Sequence, residues 1–410
     1  MSRLTNSIRN AKVGLVFHVL FIVSQFVSRK IFLSGLGDEF MGITSTLGSF
    51  LTFINLAELG IGTAIGYTLY KPIFEKNHKE INSVVGFLGN IYKKIGLFII
   101  IGSIVLSLFF PIIFKDVNIH LGIIYFTFFG LLSASLFGYF FNYHLFLLQA
   151  DQKDYIVTKY LQSFTISKVL LQAISVYYFQ NFFLWVGLEV VSGLLFTITV
   201  RKKIKKEYPW LLLKRKLSKE DKTFESYTSL VKKIKQISIH KIGEFLAGGL
   251  DNILIFFFLS AEVVAYFANY QMVLINLGTL VTKAFAGSKA SVGNLVAENN
   301  PSSIDQVFWE FMVIRFFIAG FGSICIYYLI NPFILLWLGN KYLLENNTIL
   351  IFSAIFFLRQ VVQPTEVFKQ AYGLYDDVWA PIAKSVINLI LSILLVQYMG
   401  IKGLLIGTFI

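Results

Sequence analysis

The groups in this sequence able to do chemistry are ionisable and amide side chains set inside long apolar runs. A charge in a bilayer core is costly, so such groups face a bundle interior, a wet cavity or one another. In the run 11–34, His18, Gln25 and Arg29 are spaced by seven and four residues, which places them on one face of a helix. His240, Glu244 and Asp251 share a face in the run 239–259 by the same arithmetic, with Gly248 between them. The run 41–70 carries Asn55 and Glu58 at i, i+3, and 155–179 carries Thr165, Lys168, Gln172 and Ser175 on one stripe. Arg315 stands in 308–330. Arg359, Gln363, Glu366 and Gln370 follow at steps of four, three and four beside Pro364, which is expected to kink or break its helix.

These residue types suit an anionic, hydrogen-bonding ligand. Arg grips phosphate through a bidentate fork and Lys holds it as a point charge. Arg29, Lys168, Arg315 and Arg359, with Gln363, form the candidate binding set. Glu58, Asp251 and Glu366 are candidate counter-charges, or groups that take up and release a proton or Na⁺. Competing readings stand beside these. Arg29, Lys30 and Arg315 lie near span ends and can snorkel to the headgroups. His240 and Glu244 lie close to an aqueous mouth. Lys168, Arg359, Glu58 and Asp251 are deeper, where the rival to a cavity is a buried structural ion pair.

The elements that must position them follow from composition. Of 410 residues, 56% are hydrophobic and 14% charged, and the mean hydropathy is +0.69. A soluble chain carries roughly 25% charged residues. Here apolar blocks of twenty or more are parted by short polar stretches, and roughly 20 apolar residues span a bilayer core. The blocks place helices near 11–34, 41–70, 83–114, 120–149, 155–179, 182–200, 239–259, 263–292, 308–330, 347–371 and 378–398. A twelfth begins near Ile401 and is expected to be incomplete. The N-terminal run lacks a small-residue cleavage site and reads as the first span rather than a leader. The fold class is therefore an all-α integral membrane protein.

Charge sets the orientation. The stretch Arg201–His240 holds thirteen Lys/Arg against four carboxylates, most of the chain's net +13, so nucleic acid is not the partner implied. With the N-terminus in the cytoplasm, twenty-eight Lys/Arg fall on inside segments and five outside, as the positive-inside rule requires. Six spans then precede the basic loop 201–238. That gives two six-helix lobes, an N-lobe (1–200) and a C-lobe (239–410), as a parallel pseudo-repeat around a central cavity. His18 and Arg29 recur 222 residues later as His240 and Asp251, and Glu39 aligns with Glu262 after one residue of gap. We expect Arg29 and Asp251 to pair and part during a working cycle. The sequence has no GxxxxGK[ST], HExxH, CxxC or GxSxG, and its one cysteine, Cys325, sits in an apolar run. No catalytic or metal residue is assigned. The polar groups point to moving a solute rather than transforming one.

Residues 36–73, LGDEFMGITSTLGSFLTFINLAELGIGTAIGYTLYKPI, strongly resemble the polysaccharide flippases of the multidrug/oligosaccharidyl-lipid/polysaccharide exporter superfamily. LLQADQKDY (147–155) and YFANYQMV (266–273) are further, less specific matches. The resemblance implies alternating access and, as cargo, O-antigen or capsule repeat units on undecaprenyl pyrophosphate. It also implies a bacterial inner-membrane location, no cofactor beyond an H⁺ or Na⁺ coupling ion, and a polysaccharide polymerase and chain-length regulator as neighbours. Cavity arginines matter in this superfamily, which by position points to Arg29 first. The rival readings are a multidrug or cation exporter of the same superfamily and a membrane-embedded polysaccharide polymerase. The polymerase would need a large outside loop, and the one long loop here is inside by the cation count.

Overall fold

A computed structural model describes residues 3–58, 61–212, 248–285, 288–298, 300–372, 374 and 379–409. All regular elements among them are helical. In hydrocarbon a backbone N–H or C=O has no water to bond, so an apolar run must pair its backbone within itself. Among the described residues eight helices are long and apolar enough to cross a membrane, and large side chains such as Phe317, Leu336 and Tyr398 stand exposed on them. The chain is a multi-pass membrane protein. It divides into two compact units, residues 1–242 and 243–410.

In the first unit α1 (Arg3–Ile54) holds the first predicted span and nearly half of the second, joined at Gly37, whose φ of 84° suits glycine. A 3₁₀ turn (Asn55–Glu58) and α2 (Ile61–Phe74) follow. Next come α3 (His78–Ser107), a short α4 (Phe110–Ile113) and α5 (Leu121–Phe137). The predicted span 120–149 is not one regular helix: a π-turn at Gly138–Asn142 ends α5, and α6 (Leu145–Ala150) continues. α7 (Asp154–Phe179) and α8 (Phe182–Glu207) complete the membrane-embedded part. α7 packs along α1, and α8 against both α5 and α7. At Gly130 the α5–α8 seam is so close that an added Cβ would collide with Val186 Cγ1.

The residues after α8 fold back over this unit. Tyr208 is buried and donates its hydroxyl to Asp151 Oδ2 at 2.7 Å, while the Trp210 ring stacks on His78 at 4.0 Å. Asn82 accepts from the Leu212 N–H at 2.7 Å. Beside them Lys153 pairs with Asp151, and Lys203 with Glu207. Burial first, then the Asp151 carboxylate, push the Tyr208 phenol above its ordinary range.

The second unit contains α9 (Asp251–Phe258), α10 (Ala261–Ala284), α11 (Ser288–Glu298), α12 (Pro301–Trp337), α13 (Asn346–Tyr372), α14 (Trp379–Met399) and α15 (Ile401–Phe409). The predicted 263–292 helix thus stops at Ala284, and 308–330 is extended at both ends. α13 runs through Pro364 as one helix, so of the expected kink or break the break does not occur: an apolar helix has no other backbone partners to switch to. His240, Glu244 and the rest of 213–247, most of the basic loop and the start of the predicted seventh helix, lie outside the described residues.

Some details recur between the two units. α3 is capped by Asn77, whose side chain accepts from the Glu80 N–H; α12 is capped by Asn300, which accepts from the Ser303 N–H. The π-turn begins at the eighteenth residue counted from the start of α5, and Pro364 is the nineteenth of α13. Both interrupt the regular i→i−4 ladder, one by an inserted residue and the other by a missing N–H.

Candidate functional site

Each unit contains a cavity that sets charged side chains among apolar ones. In the first unit it is about 320 Å³, lined by Ser135 and Asn142 near the π-turn, Thr165 and Lys168 of α7, and Glu189 and Ser192 of α8. Lys168 lies fourteen residues beyond the start of α7, about 20 Å along it. Its ammonium donates to Glu189 Oε1 at 2.6 Å. The buried Gln172 amide donates to Glu189 Oε2 at 3.3 Å and to the Trp185 carbonyl at 2.9 Å. The two charges neutralise one another, and the ammonium keeps further donors for the cavity. Asn142 donates to Thr197 Oγ1 across the α5–α8 seam.

The other candidate groups of this unit stand outside that lining. Glu58 ends the 3₁₀ turn and accepts from the Tyr92 hydroxyl at 2.8 Å, with the Tyr139 hydroxyl also bonded to it. Asn55, one 3₁₀ turn earlier, donates to Ser135 Oγ at 3.3 Å. Because i and i+3 eclipse in a 3₁₀ helix, Asn55 and Glu58 form two rungs against Ser135 and Tyr139, themselves spaced i, i+4 at the end of α5 and in the π-turn. Arg29 is half-buried, its guanidinium against Met41 Sδ.

The second unit's cavity is larger, about 460 Å³. Asp251, Arg359, Gln360, Gln363 and Gln271 line it with the hydroxyls of Thr279, Thr282 and Thr408, beside Phe267, Phe352 and Phe356. Asp251 feels the charge of Arg359, whose guanidinium lies near Gly248. Arg315 is not in the lining. It is 3% exposed, stands over the rings of Phe285 and Phe311 at 4.2 and 5.3 Å, and donates from Nη1 to Gln360 Oε1 at 2.9 Å. That bond occupies the Gln360 carbonyl and leaves its NH₂ for other acceptors. Glu366 is half-buried and outside the lining.

Of the predicted groups, Asp251, Arg359 and Gln363 therefore meet in one cavity, Lys168 lines the other, and Arg315 reaches the larger one through Gln360. Sequence reasoning missed Glu189, although it is the one carboxylate in FFLWVGLEVVSGLLFTITV and so carried a signal. Gln360, Tyr92 and Tyr139 carried none, because single amides and phenols are common in apolar runs. Among the described residues no cluster of three His, Cys, Asp or Glu could hold a metal ion.

Comparison with solved structures gives the fold a class. The chain superimposes on an inward-facing multidrug-resistance MATE family transporter of the MOP superfamily with a TM-score of 0.68 and 14% identity, covering 98% of this chain and 94% of the other. A Vibrio cholerae MATE transporter, VcmN, aligns with a TM-score of 0.62 at 14% identity over 99% and 94%. A MATE structure in complex with MaL6 aligns with 0.64 at 13% identity over 100% and 93%. No family model matches the chain, and no curated protein matches it. The fold is thus that of the MATE transporters of the MOP superfamily, all-α and membrane-embedded with two lobes. The structures it resembles are transporters rather than enzymes.

Proposed function

We propose that this chain is an alternating-access membrane transporter. The observation that carries the reading is the placing of charged and amide side chains on cavities within membrane-spanning bundles, Lys168 and Glu189 in one unit and Asp251 and Arg359 in the other. Intramembrane ionisable groups mark solute or ion pathways, and the solved structures with this fold are transporters.

Two cargo classes compete. Export of drugs or organic cations is the one the comparisons support better, since the similar structures are named as multidrug or MATE transporters. A specific observation favours the other, translocation of undecaprenyl-pyrophosphate-linked oligosaccharide for O-antigen or capsule. Each carboxylate in the two linings has a cation for company: Glu189 meets Lys168, and Asp251 shares its cavity with Arg359. A cation carrier is better served by a surplus of carboxylate. Three glutamines, three threonines and three phenylalanines around one arginine instead suit a hydroxyl-rich, anion-bearing headgroup with an apolar ring face. The flippase-like segment 36–73 points the same way. H⁺ or Na⁺ as coupling ion, with Glu58 or Asp251 as its carrier, belongs to the same proposal.

The test is deletion of the gene in its native strain, with a membrane-impermeant sugar probe applied to intact and inverted vesicles. Single lipid-linked units accumulating on the cytoplasmic face support the flippase. Unchanged glycan distribution with raised drug sensitivity gives the exporter. Single units displayed outside and unpolymerised would return the polymerase reading.

A further inference from the structure

α8 carries a stripe of exposed residues that changes chemistry along its length. Val191, Leu194, Leu195 and Ile198 form its apolar part, each between 44 and 51% exposed. At Arg201, nineteen residues and about 29 Å from the helix start, the stripe turns cationic. That distance is the thickness of a hydrocarbon core. Five cations then occur in six residues, Arg201, Lys202, Lys203, Lys205 and Lys206, and the structure sorts them. Lys203 turns to Glu207 at 2.6 Å and leaves the stripe. Lys202, Lys205 and Lys206 are exposed, with no carboxylate partner among the described residues. Arg201 lies over the ring of Phe141, 5.9 Å from its centroid, and that ring, in the π-turn, is itself 41% exposed.

We propose that the face formed by Phe141 of the π-turn and the end of α8 is a binding site for an anionic phospholipid of the adjoining leaflet, with Arg201, Lys202 and Lys205 holding the headgroup phosphate. Ile198 and Leu194, one and two turns back along the helix, meet its acyl chains, and Phe141 supplies an aromatic wall at the interface. The site is separate from the two cavities and does not depend on which cargo the protein moves. A membrane lipid is favoured over a free phosphate because the cations continue an apolar face. A soluble anion would have no use for Leu194 and Ile198. Each Lys or Arg near a bilayer surface favours anionic lipid by about fivefold, so three together, partly screened by salt, give a preference of about tenfold or more.

The experiment is native mass spectrometry of the full chain from micelles doped with equal phosphatidylglycerol and phosphatidylcholine, alongside the triple variant Arg201→Gln/Lys202→Gln/Lys205→Gln. The wild type is expected to retain the anionic lipid at least about tenfold over the zwitterionic one, and the triple variant to fall to within about twofold. A control, Lys71→Gln/Lys76→Gln/Lys79→Gln, removes three charges elsewhere on the same unit and is expected to keep the preference. No preference in the wild type, or a preference kept by the α8 variant, overturns the proposal. Equal loss in the control overturns it too, because the effect is then a general one of surface charge. Displacement of the lipid by excess inorganic phosphate would make the site a free-anion site and equally overturn it. Phe141→Ala keeps every charge and serves where the triple variant fails to fold. It is expected to lower lipid retention about threefold, and unaltered retention overturns the placing of the lipid on this face.

Discussion

The Lys168–Glu189 pair shows how a charge is made tolerable in a membrane-spanning bundle. Both side chains are about one-fifth exposed, at 19 and 18%, and the second carboxylate oxygen is taken by Gln172. Removing one partner leaves a charge that its surroundings do not solvate. We expect Lys168→Met or Glu189→Gln alone to lower stability by about 2 kcal/mol, with the double change Lys168→Met/Glu189→Met recovering at least half, read from melting curves in detergent. Arg315 makes a different case, since its bond goes to a neutral amide. Arg315→Lys keeps the charge but loses the planar fork and its stacking over Phe285, so a cost of about 1–2 kcal/mol is expected. A double-mutant cycle with Gln360→Ala should give a coupling of about 1 kcal/mol; additive effects would show that the bond does not contribute.

Among the elements, the α5–α8 seam and the segment after α8 make opposite demands. The seam needs absence of bulk. Gly130→Ala drives a Cβ into Val186, and we expect a loss of about 1–3 kcal/mol, relieved by Val186→Ala in the same chain. The fold-back needs the presence of a hydroxyl. Tyr208→Phe loses a hydrogen bond to a carboxylate, about 1.5–3 kcal/mol. Its pH dependence has a definite sign. The phenol is raised in the folded chain, so its contribution is complete below the unfolded value of about 10 and declines as pH rises past it. The gap in melting temperature between wild type and Tyr208→Phe should therefore narrow above that pH, while a constant gap would mean that the phenol is not held up by the fold. Neither demand was legible in the sequence. A glycine in an apolar run has many uses, and Tyr208 precedes a proline in a stretch that reads as loop. Helix positions were legible, because hydrocarbon leaves the backbone one solution. Their interruptions were not: the π-turn at Gly138–Asn142 has no proline to announce it, and Pro364, which seemed to announce a rupture, is carried inside a continuous helix.

At the scale of the molecule, the two units build their cavities from different helices, α5, α7 and α8 in one and α9, α10, α13 and α15 in the other. Helix faces and intramembrane charges were readable from spacing, but the meeting of Asp251 with Arg359 and Gln363 in one lining was not, since spacing alone set Asp251 against Arg29. Which charges pair with one another was not readable, because partners such as Lys168 and Glu189 lie on different helices and the sequence gives no register between them. Orientation rests on the cation count and can be tested directly, since Cys325 is the sole cysteine. In a Cys325→Ala background, Asn118→Cys is expected to react with an impermeant maleimide on intact cells, and Lys76→Cys only after permeabilisation; the reverse pattern would invert the topology. The paired interruptions at the π-turn and at Pro364 have one more consequence. Each unit carries an irregularity about five turns into a long helical run, and unrelated residues make it. A search for distant kin can then align such irregularities before residues. A relative with neither a proline nor a recognisable motif could still be found by the place where its counterparts of α5 and α13 lose their periodicity.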